Sequence, residues 1–94
     1  MDHKAAIHSN LREIAHTMLD FIKHSGPLYH EGWVPATYIK RELNLQVLCY
    51  PKDNEKQHGK QGWLFSILAR LLEDEGLLEY RFDGKHAYYR AVEI

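Results

Sequence analysis

The side chains that could do chemistry in this chain are hydrogen-bond donors and cations in its C-terminal part. Four side chains are spaced three, four and three residues apart and would share one face of a helix: Trp63, Ser66, Arg70 and Glu73. Lys60 and Gln61 stand at the start of that face. Arginine can bond bidentately to guanine, glutamine to adenine, and serine to a phosphate or a base. Trp63 could pack on residues 45–50 or could anchor a protein interface.

The sequence lacks the motifs of common enzymes. It has no glycine-rich phosphate loop, no CxxC pair, no HExxH sequence and no carboxylate pair at a suggestive spacing. His8, His16 and His24 are eight residues apart, which turns a helix about 80° past two full turns, so they do not converge on a metal. Cys49 has no neighbour that would make it a nucleophile. We expect no enzymatic activity, no cofactor and no metal site.

The segment WLFSILARLLEDEG predicts a helix. Its apolar side chains fall on one stripe at spacings of three and four: Leu64, Phe65, Leu68, Leu71 and Leu72. Gly76 follows the last periodic residue, at the position where helices commonly end on a glycine. The helix therefore has one face for the core and an opposite face for solvent or a partner.

The segment after that helix predicts a β-hairpin. Asp83 and Gly84 tolerate the positive φ angles of a two-residue type I′ turn, which would set Phe82 opposite Lys85. Side chains alternate along a strand, so one face would be apolar: Leu78, Tyr80, Phe82, Ala87, Tyr89 and Ala91. The other face would carry cations and one aromatic ring: Glu79, Arg81, His86, Tyr88 and Arg90.

The helix, the LLEDEGLLEY junction and the hairpin resemble the second half of a winged helix-turn-helix domain. The resemblance implies an α+β fold over residues 1–94: three helices, a C-terminal β-hairpin wing and room for a short third strand. It implies an intracellular, cytoplasmic DNA-binding protein that regulates transcription. The implied base contacts are Gln61, Ser66 and Arg70. The implied phosphate contacts are Lys60, Arg81, Lys85 and Arg90, with His86 beside them on the wing.

Two alternatives stay open for these residues. The cations of the hairpin could instead protect an edge strand against aggregation. The chain could also be a protein–protein interaction module on the same fold, without DNA binding, because a fold does not determine a function. Three features favour that second function: a net charge of −1, the exposed Trp63 expected from the pattern, and a long polar insertion at residues 44–60.

Residues 3–24 predict a long first helix. Its apolar residues recur at helical spacing: Ile7, Leu11, Ile14, Met18, Phe21 and Ile22. Asp2 can cap its N-terminus, and Gly26 followed by Pro27 can end it as a C′ glycine and a helix breaker. This helix is the candidate dimer element, because a domain of this size gains specificity by binding two half-sites.

Residues 34–43 predict a second helix with Pro35 in its first turn and Ala36, Ile39 and Leu43 facing inward. Tyr29 and Trp33, before it, are expected to cover one end of the core. Residues 45–50 could form a third strand or extend the helix. The polar residues 44–60 are an insertion, because a helix-turn-helix joins its helices with a turn of about three or four residues.

Bulk composition bounds the remaining possibilities. Ninety-four residues with 45% hydrophobic content suit one domain with its own core. No apolar run approaches the ~18 residues of a membrane span. A single cysteine cannot form an internal disulfide and suits a reducing compartment. We expect no membrane partner.

Overall fold

The computed structural model describes residues 2–45 and 63–92. Within these ranges the fold is α+β, with three α-helices and one antiparallel sheet of three short strands. The helices are α1 (His3–Ser25), α2 (Ala36–Glu42) and α3 (Trp63–Asp74), and the strands are β1 (Val34–Pro35), β2 (Leu78–Phe82) and β3 (Ala87–Ala91). Two 3₁₀ turns, Gly26–Leu28 and His30–Gly32, connect α1 to β1. None of the helices described is both long enough and apolar enough to cross a membrane.

The sheet has the order β1-β3-β2, so β3 is its central strand. Strands β2 and β3 form the predicted hairpin, but its register differs from the prediction, because Phe82 lies opposite Ala87 rather than Lys85. The loop covers residues 83–86 and is closed by Asp83, whose carboxylate accepts bonds from the backbone N–H groups of His86 (2.7 Å) and Lys85 (2.9 Å). These bonds lower the pKa of the Asp83 carboxyl, the bond from His86 having the larger effect. The observed pairing differs from the predicted one by two residues, an even number, so each side chain stays on its predicted face of the hairpin.

The third strand is Val34–Pro35, which the sequence assigned to the second helix. Steric contact with a proline ring disfavours helical backbone in the preceding residue, so Val34 is extended and pairs with Tyr89. Pro35 itself is extended and precedes α2. The predicted strand at residues 45–50 and the insertion at 44–60 lie, from residue 46 onward, outside the described residues.

The second helix ends on an unusual residue. Asn44 has a φ of +53°, and the N–H of Leu45 bonds to the carbonyl of Lys40 at 2.8 Å. Asparagine tolerates the left-handed region better than most residues, so it can take the place that glycine holds at many helix ends. Ala36 and Ile39 are buried and Leu43 is half-buried, which confirms the predicted inner face of this helix.

The core lies where α1 and α3 pack on one face of the sheet. Its largest fully buried side chains come from α1, β1, α2 and α3: Ile22, Val34, Ile39, Leu68 and Leu72. Leu78 and Tyr89 close the core from the sheet. The α3 stripe confirms the prediction, because Phe65, Leu68 and Leu72 are buried and Leu64 and Leu71 pack partly against them.

The predicted apolar stripe of α1 is buried only in the C-terminal half of the helix. Burial in this helix begins at Ala15, whereas Ile7 and Ile14 are 59% and 49% exposed. Helical spacing shows that residues share a face, but coverage of that face depends on elements far away in the chain. The N-terminal half of α1 therefore presents apolar side chains to the surface.

The helix ends agree with prediction in two cases and differ in one. Asp2 caps α1 by accepting a bond from the N–H of Ala5, and Gly76 has a φ of +77°. After α3, the N–H of Leu77 bonds to the carbonyl of Leu72 at 2.9 Å, the 6→1 bond of a glycine-ended helix. Gly26 does not end α1 in the predicted way, because its φ is −50° and it continues into a 3₁₀ turn.

Gly76→Ala is expected to destabilise the fold by about 1–2 kcal/mol, because a Cβ is strained at positive φ even where nothing crowds it. Gly26→Ala is the matched control, since its backbone is right-handed and an added Cβ would meet only ordinary contacts. That change should be neutral or stabilise by less than about 1 kcal/mol through the unfolded state. Urea unfolding of both variants measures the difference, and equal effects would contradict the assignment of strain to Gly76.

Candidate nucleic-acid interface

The outward side of α3 forms one wall of a shallow cleft. Ser66 and Arg70 are exposed and line this cleft with Glu73, while Tyr80 and Tyr89 line it from the hairpin. The Nε atom of Arg70 lies 3.3 Å from a carboxylate oxygen of Asp74, one helical turn away. Both side chains are largely exposed, so this pair is weak and can exchange Asp74 for another acceptor.

Part of the predicted α3 face lies outside the described residues. Lys60 and Gln61 lie outside the described residues, and Trp63 belongs to α3 without a described side chain. Ser66 and Arg70 are thus the predicted base contacts that the structure brings together. Their face also carries Ile67, which is 46% exposed and was not singled out from the sequence.

The hairpin meets α3 through its apolar face, which we call the inner face. The ring of Tyr89 contacts Phe65 edge-on, with centroids 5.3 Å apart, and Tyr80 at the same separation. Towards the loop the inner face leaves the core, so Tyr80 and Phe82 are 47% and 58% exposed. The side of the hairpin that adjoins α3 is therefore aromatic, not cationic.

The opposite side of the sheet, which we call the outer face, holds Arg90 in a network of intramolecular contacts. Its Nη2 and Nε atoms lie 2.6 Å and 3.1 Å from Oε2 of Glu79, opposite it on β2. Its guanidinium lies 4.2 Å from the ring centroid of Trp33. Arg90 was predicted to hold a phosphate, and in the structure its guanidinium contacts Glu79 and Trp33.

Arg90 also supports the turn before β1. Glu31 and Gly32 have φ angles of +54° and +78°, and the carbonyl of Glu31 accepts a bond from Nη1 of Arg90 at 3.3 Å. An added Cβ at Gly32 would lie 3.5 Å from the stem of Arg90, so this turn packs closely on the arginine. A non-glycine residue in the left-handed region is uncommon and needs such support from its surroundings.

Arg81 is the other cation of the outer face. Its guanidinium carbon lies 5.1 Å from the ring centroid of Trp33 and 5.6 Å from that of Tyr88. Within the described ranges neither Arg81 nor Lys85 forms an ion pair. His86 and Lys85 are exposed in the loop. Among the described residues Arg81 and Lys85 thus remain open to an external anion.

The structure does not bring all the predicted contacts onto one surface. Arg70 and Ser66 border the inner face, whereas Arg81 and Arg90 lie on the outer face. A ligand that touches both groups must pass from one face of the hairpin to the other, around the loop at residues 83–86 or across the outermost strand of the described sheet, β2.

Trp33 is the residue whose position the sequence analysis missed. It was expected to cover the core, yet it lies on the outer face beside two arginines. A signal was present in the sequence, since Trp33 and Pro35 flank Val34, and neighbours of an inward strand residue point outward. This alternation predicts the outward position of Trp33 only once Val34 is assigned to a strand.

A separate cluster joins the two long helices. The carboxylate of Glu75 accepts a hydrogen bond from Nε of Arg12, which lies 2.8 Å from Oε1. Its other oxygen, Oε2, lies 3.5 Å from Nε2 of His16. Arg12 and His16 are exposed while the side chain of Glu75 is partly buried, and ion pairs with exposed partners contribute little to stability. Among the residues described, no three His, Cys, Asp or Glu side chains come together as metal ligands would.

No protein-family model, curated protein or solved structure shows a significant match to this chain.

Tyr89 gives a test of the inner face. Burial raises its pKa to about 12 from 10.0, and the charge of Glu73 adds to the shift. Between those pH values the unfolded chain releases the phenol proton while the folded chain retains it. Stability should therefore fall with rising pH, by at most about 1.4 kcal/mol per pH unit from this group.

Tyr89→Phe should flatten this alkaline loss of stability, because it removes the group that titrates differently in the two states. Tyr88→Phe is the control, because it removes a tyrosine hydroxyl on the outer face and leaves Tyr89 in the core. Urea unfolding at several pH values between 9 and 12 measures the slopes. Equal slopes for wild type and Tyr89→Phe would mean that the phenol of Tyr89 is not buried in solution.

Proposed function

We propose that this chain is a winged-helix domain that binds duplex DNA, with α3 as recognition helix and the β2–β3 hairpin as wing. The order of the elements supports this proposal, because β1 separates the first two helices and the hairpin follows the third. The strand order β1-β3-β2 supports it too, since it places the hairpin and the short strand in one sheet. A transcription regulator is the role that this proposal favours.

One observation carries the proposal. The buried stripe of α3 packs on the core, and this leaves Ser66 and Arg70 exposed beside a hairpin whose loop carries the exposed Lys85. A helix presented in this way can enter a major groove while neighbouring cations contact phosphates. Arg70 then reads a base by exchanging Asp74 for a base edge.

The charge balance determines how such binding must behave. The net charge of −1 provides no general attraction to DNA, so the attraction must come from the cations near α3 and the loop. Affinity is therefore modest for one copy and falls as salt rises. Two copies on adjacent half-sites would strengthen it, and the exposed Ile7 and Ile14 of α1 are apolar residues that a dimer contact could cover.

A second function, protein–protein interaction, is favoured by one specific observation. Tyr80, Phe82 and Ile67 are exposed apolar side chains on and beside the inner face. Aromatic residues are enriched in the buried centres of protein interfaces. On this alternative the cleft beside α3 receives an apolar segment of a partner rather than DNA.

The DNA proposal predicts different effects for two substitutions. Arg70→Ala should alter sequence preference, costing about 1–3 kcal/mol at one base position, because a base contact is lost. Lys85→Ala should weaken binding to all duplexes alike and lower the salt slope by about 1, because a phosphate contact is lost. Fluorescence anisotropy with a randomised duplex pool and with selected duplexes, over a range of salt, measures both effects.

Lys4→Ala is the matched control, because Lys4 is an exposed lysine on α1, remote in sequence from α3 and the loop. It should leave affinity and salt slope unchanged. Wild-type protein that fails to bind any duplex at low salt would reject the proposal. An effect of Lys4→Ala as large as that of Lys85→Ala would show that binding is diffuse rather than located at the hairpin.

The protein-interaction alternative predicts a located cross-link. A photoreactive benzoylphenylalanine at Phe82 should form one discrete protein adduct in cells that express the chain, because the interface would bury that side chain. The same group at Thr37, which is exposed on α2, is the control and should form none. Adducts at both positions, or at neither, would count against a specific partner on the inner face.

A further inference from the structure

The outer face of the sheet is arranged in two rows across the three strands. Glu79 pairs with Arg90, and Arg81 pairs with Tyr88, which also pairs with Pro35. Trp33 stands one residue before β1, and the continued register sets it beside Arg90. The outer face thus combines two guanidinium groups, two aromatic rings and one carboxylate in a small area.

The charges in these rows are not equivalent. Arg90 neutralises Glu79, the one acidic side chain in the two rows, through two hydrogen bonds. Arg81 forms no ion pair among the described residues, and the nearby Asp83 carboxylate accepts bonds from the backbone N–H groups of Lys85 and His86. A cation whose neighbouring carboxylate is already occupied is available to an external anion.

Two aromatic rings lie beside the exposed guanidinium of Arg81. Its guanidinium lies within stacking reach of both Trp33 and Tyr88. A guanidinium that stacks on aromatic rings keeps its N–H edges free to form two parallel bonds with one anion. Contacts with the two rings restrict the Arg81 side chain, so less conformational entropy is lost when the anion arrives.

We infer that the outer face is a phosphate-binding site, in which Arg81 contacts a phosphodiester of the nucleic-acid backbone and Trp33 and Tyr88 position it. The site lies across the hairpin from α3, so it engages a different part of the nucleic acid from Ser66 and Arg70. Arg90 acts indirectly, since it neutralises Glu79 and supports the turn that carries Trp33. This inference rests on the proposed function, because it assigns the ligand as nucleic acid.

The test compares two substitutions that both keep the charge. Arg81→Lys should weaken duplex binding roughly fivefold, nearly as much as Arg81→Ala, because an ammonium neither stacks as a plane nor bonds bidentately. Lys4→Arg is the control and should stay within about twofold of wild type, because Lys4 is an exposed lysine of α1 outside the proposed site. Circular dichroism and thermal unfolding must first show that each variant folds as the wild type does.

A second readout locates the contact. The chain has two tryptophans, so in a Trp63→Phe background Trp33 is the sole source of tryptophan emission. Saturation with duplex should change the emission of Trp33, and this change should be lost in Arg81→Lys. Inorganic phosphate at millimolar concentration should produce no comparable change, because a free ion lacks the other contacts of the nucleic acid.

The outcomes separate the two proposals. Wild-type protein that binds duplex while Arg81→Lys keeps full affinity, or while Trp33 emission stays constant, would overturn the outer-face site and leave the proposed function standing. A response of Trp33 to inorganic phosphate as strong as the response to duplex would overturn the assignment to nucleic acid. Absence of duplex binding at low salt would reject both.

Discussion

The burial of Tyr89 in the central strand is the constraint on which the rest of the structure depends. Its ring contacts Phe65 of α3 and Tyr80 of β2, and its backbone pairs with Val34 of β1. Successive residues of a strand point to opposite faces, so the burial of Tyr89 directs both Tyr88 and Arg90 outward. One aromatic side chain thereby determines which side chains adjoin α3 and which lie on the outer face.

This arrangement has an electrostatic consequence. The inner face meets α3 with aromatic rings, and the arginines of both strands lie on the far side of the sheet. A half-exposed arginine beside a carboxylate and an indole ring gains from both contacts, and this accounts for the position of Arg90. The same network supports Glu31 in its left-handed conformation, so the turn before β1 depends on a side chain at the end of the chain.

The two-sided hairpin also constrains any function. On the proposed function, nucleic acid that contacts α3 reaches the outer face around the loop at residues 83–86 or across β2, the outermost strand of the sheet among the described residues. The exposed Tyr80 and Phe82 lie along the same route and would contact whatever occupies it. The proposed nucleic acid and the alternative protein partner would therefore contact the same surface of the hairpin.

The sequence by itself determined the features that depend on neighbouring residues. The spacing of apolar residues predicted the buried stripe of α3, Gly76 predicted its end, and alternation predicted the two faces of the hairpin. Each of these follows from local geometry, with periods of 3.6 or 2 residues or a positive φ angle. The Asp83-Gly84 pair correctly indicated a turn, although Asp83 closes a longer loop through its own carboxylate.

Only the tertiary structure decided the features that join distant residues. Val34 lies in a strand because it pairs with Tyr89 of β3. Ile7 and Ile14 are exposed because, among the described residues, burial in α1 begins at Ala15. Arg90 was engaged by Glu79, Glu31 and Trp33, which no periodicity relates to it. Local patterns show which residues share a face, whereas the side chains that cover that face come from elsewhere in the chain.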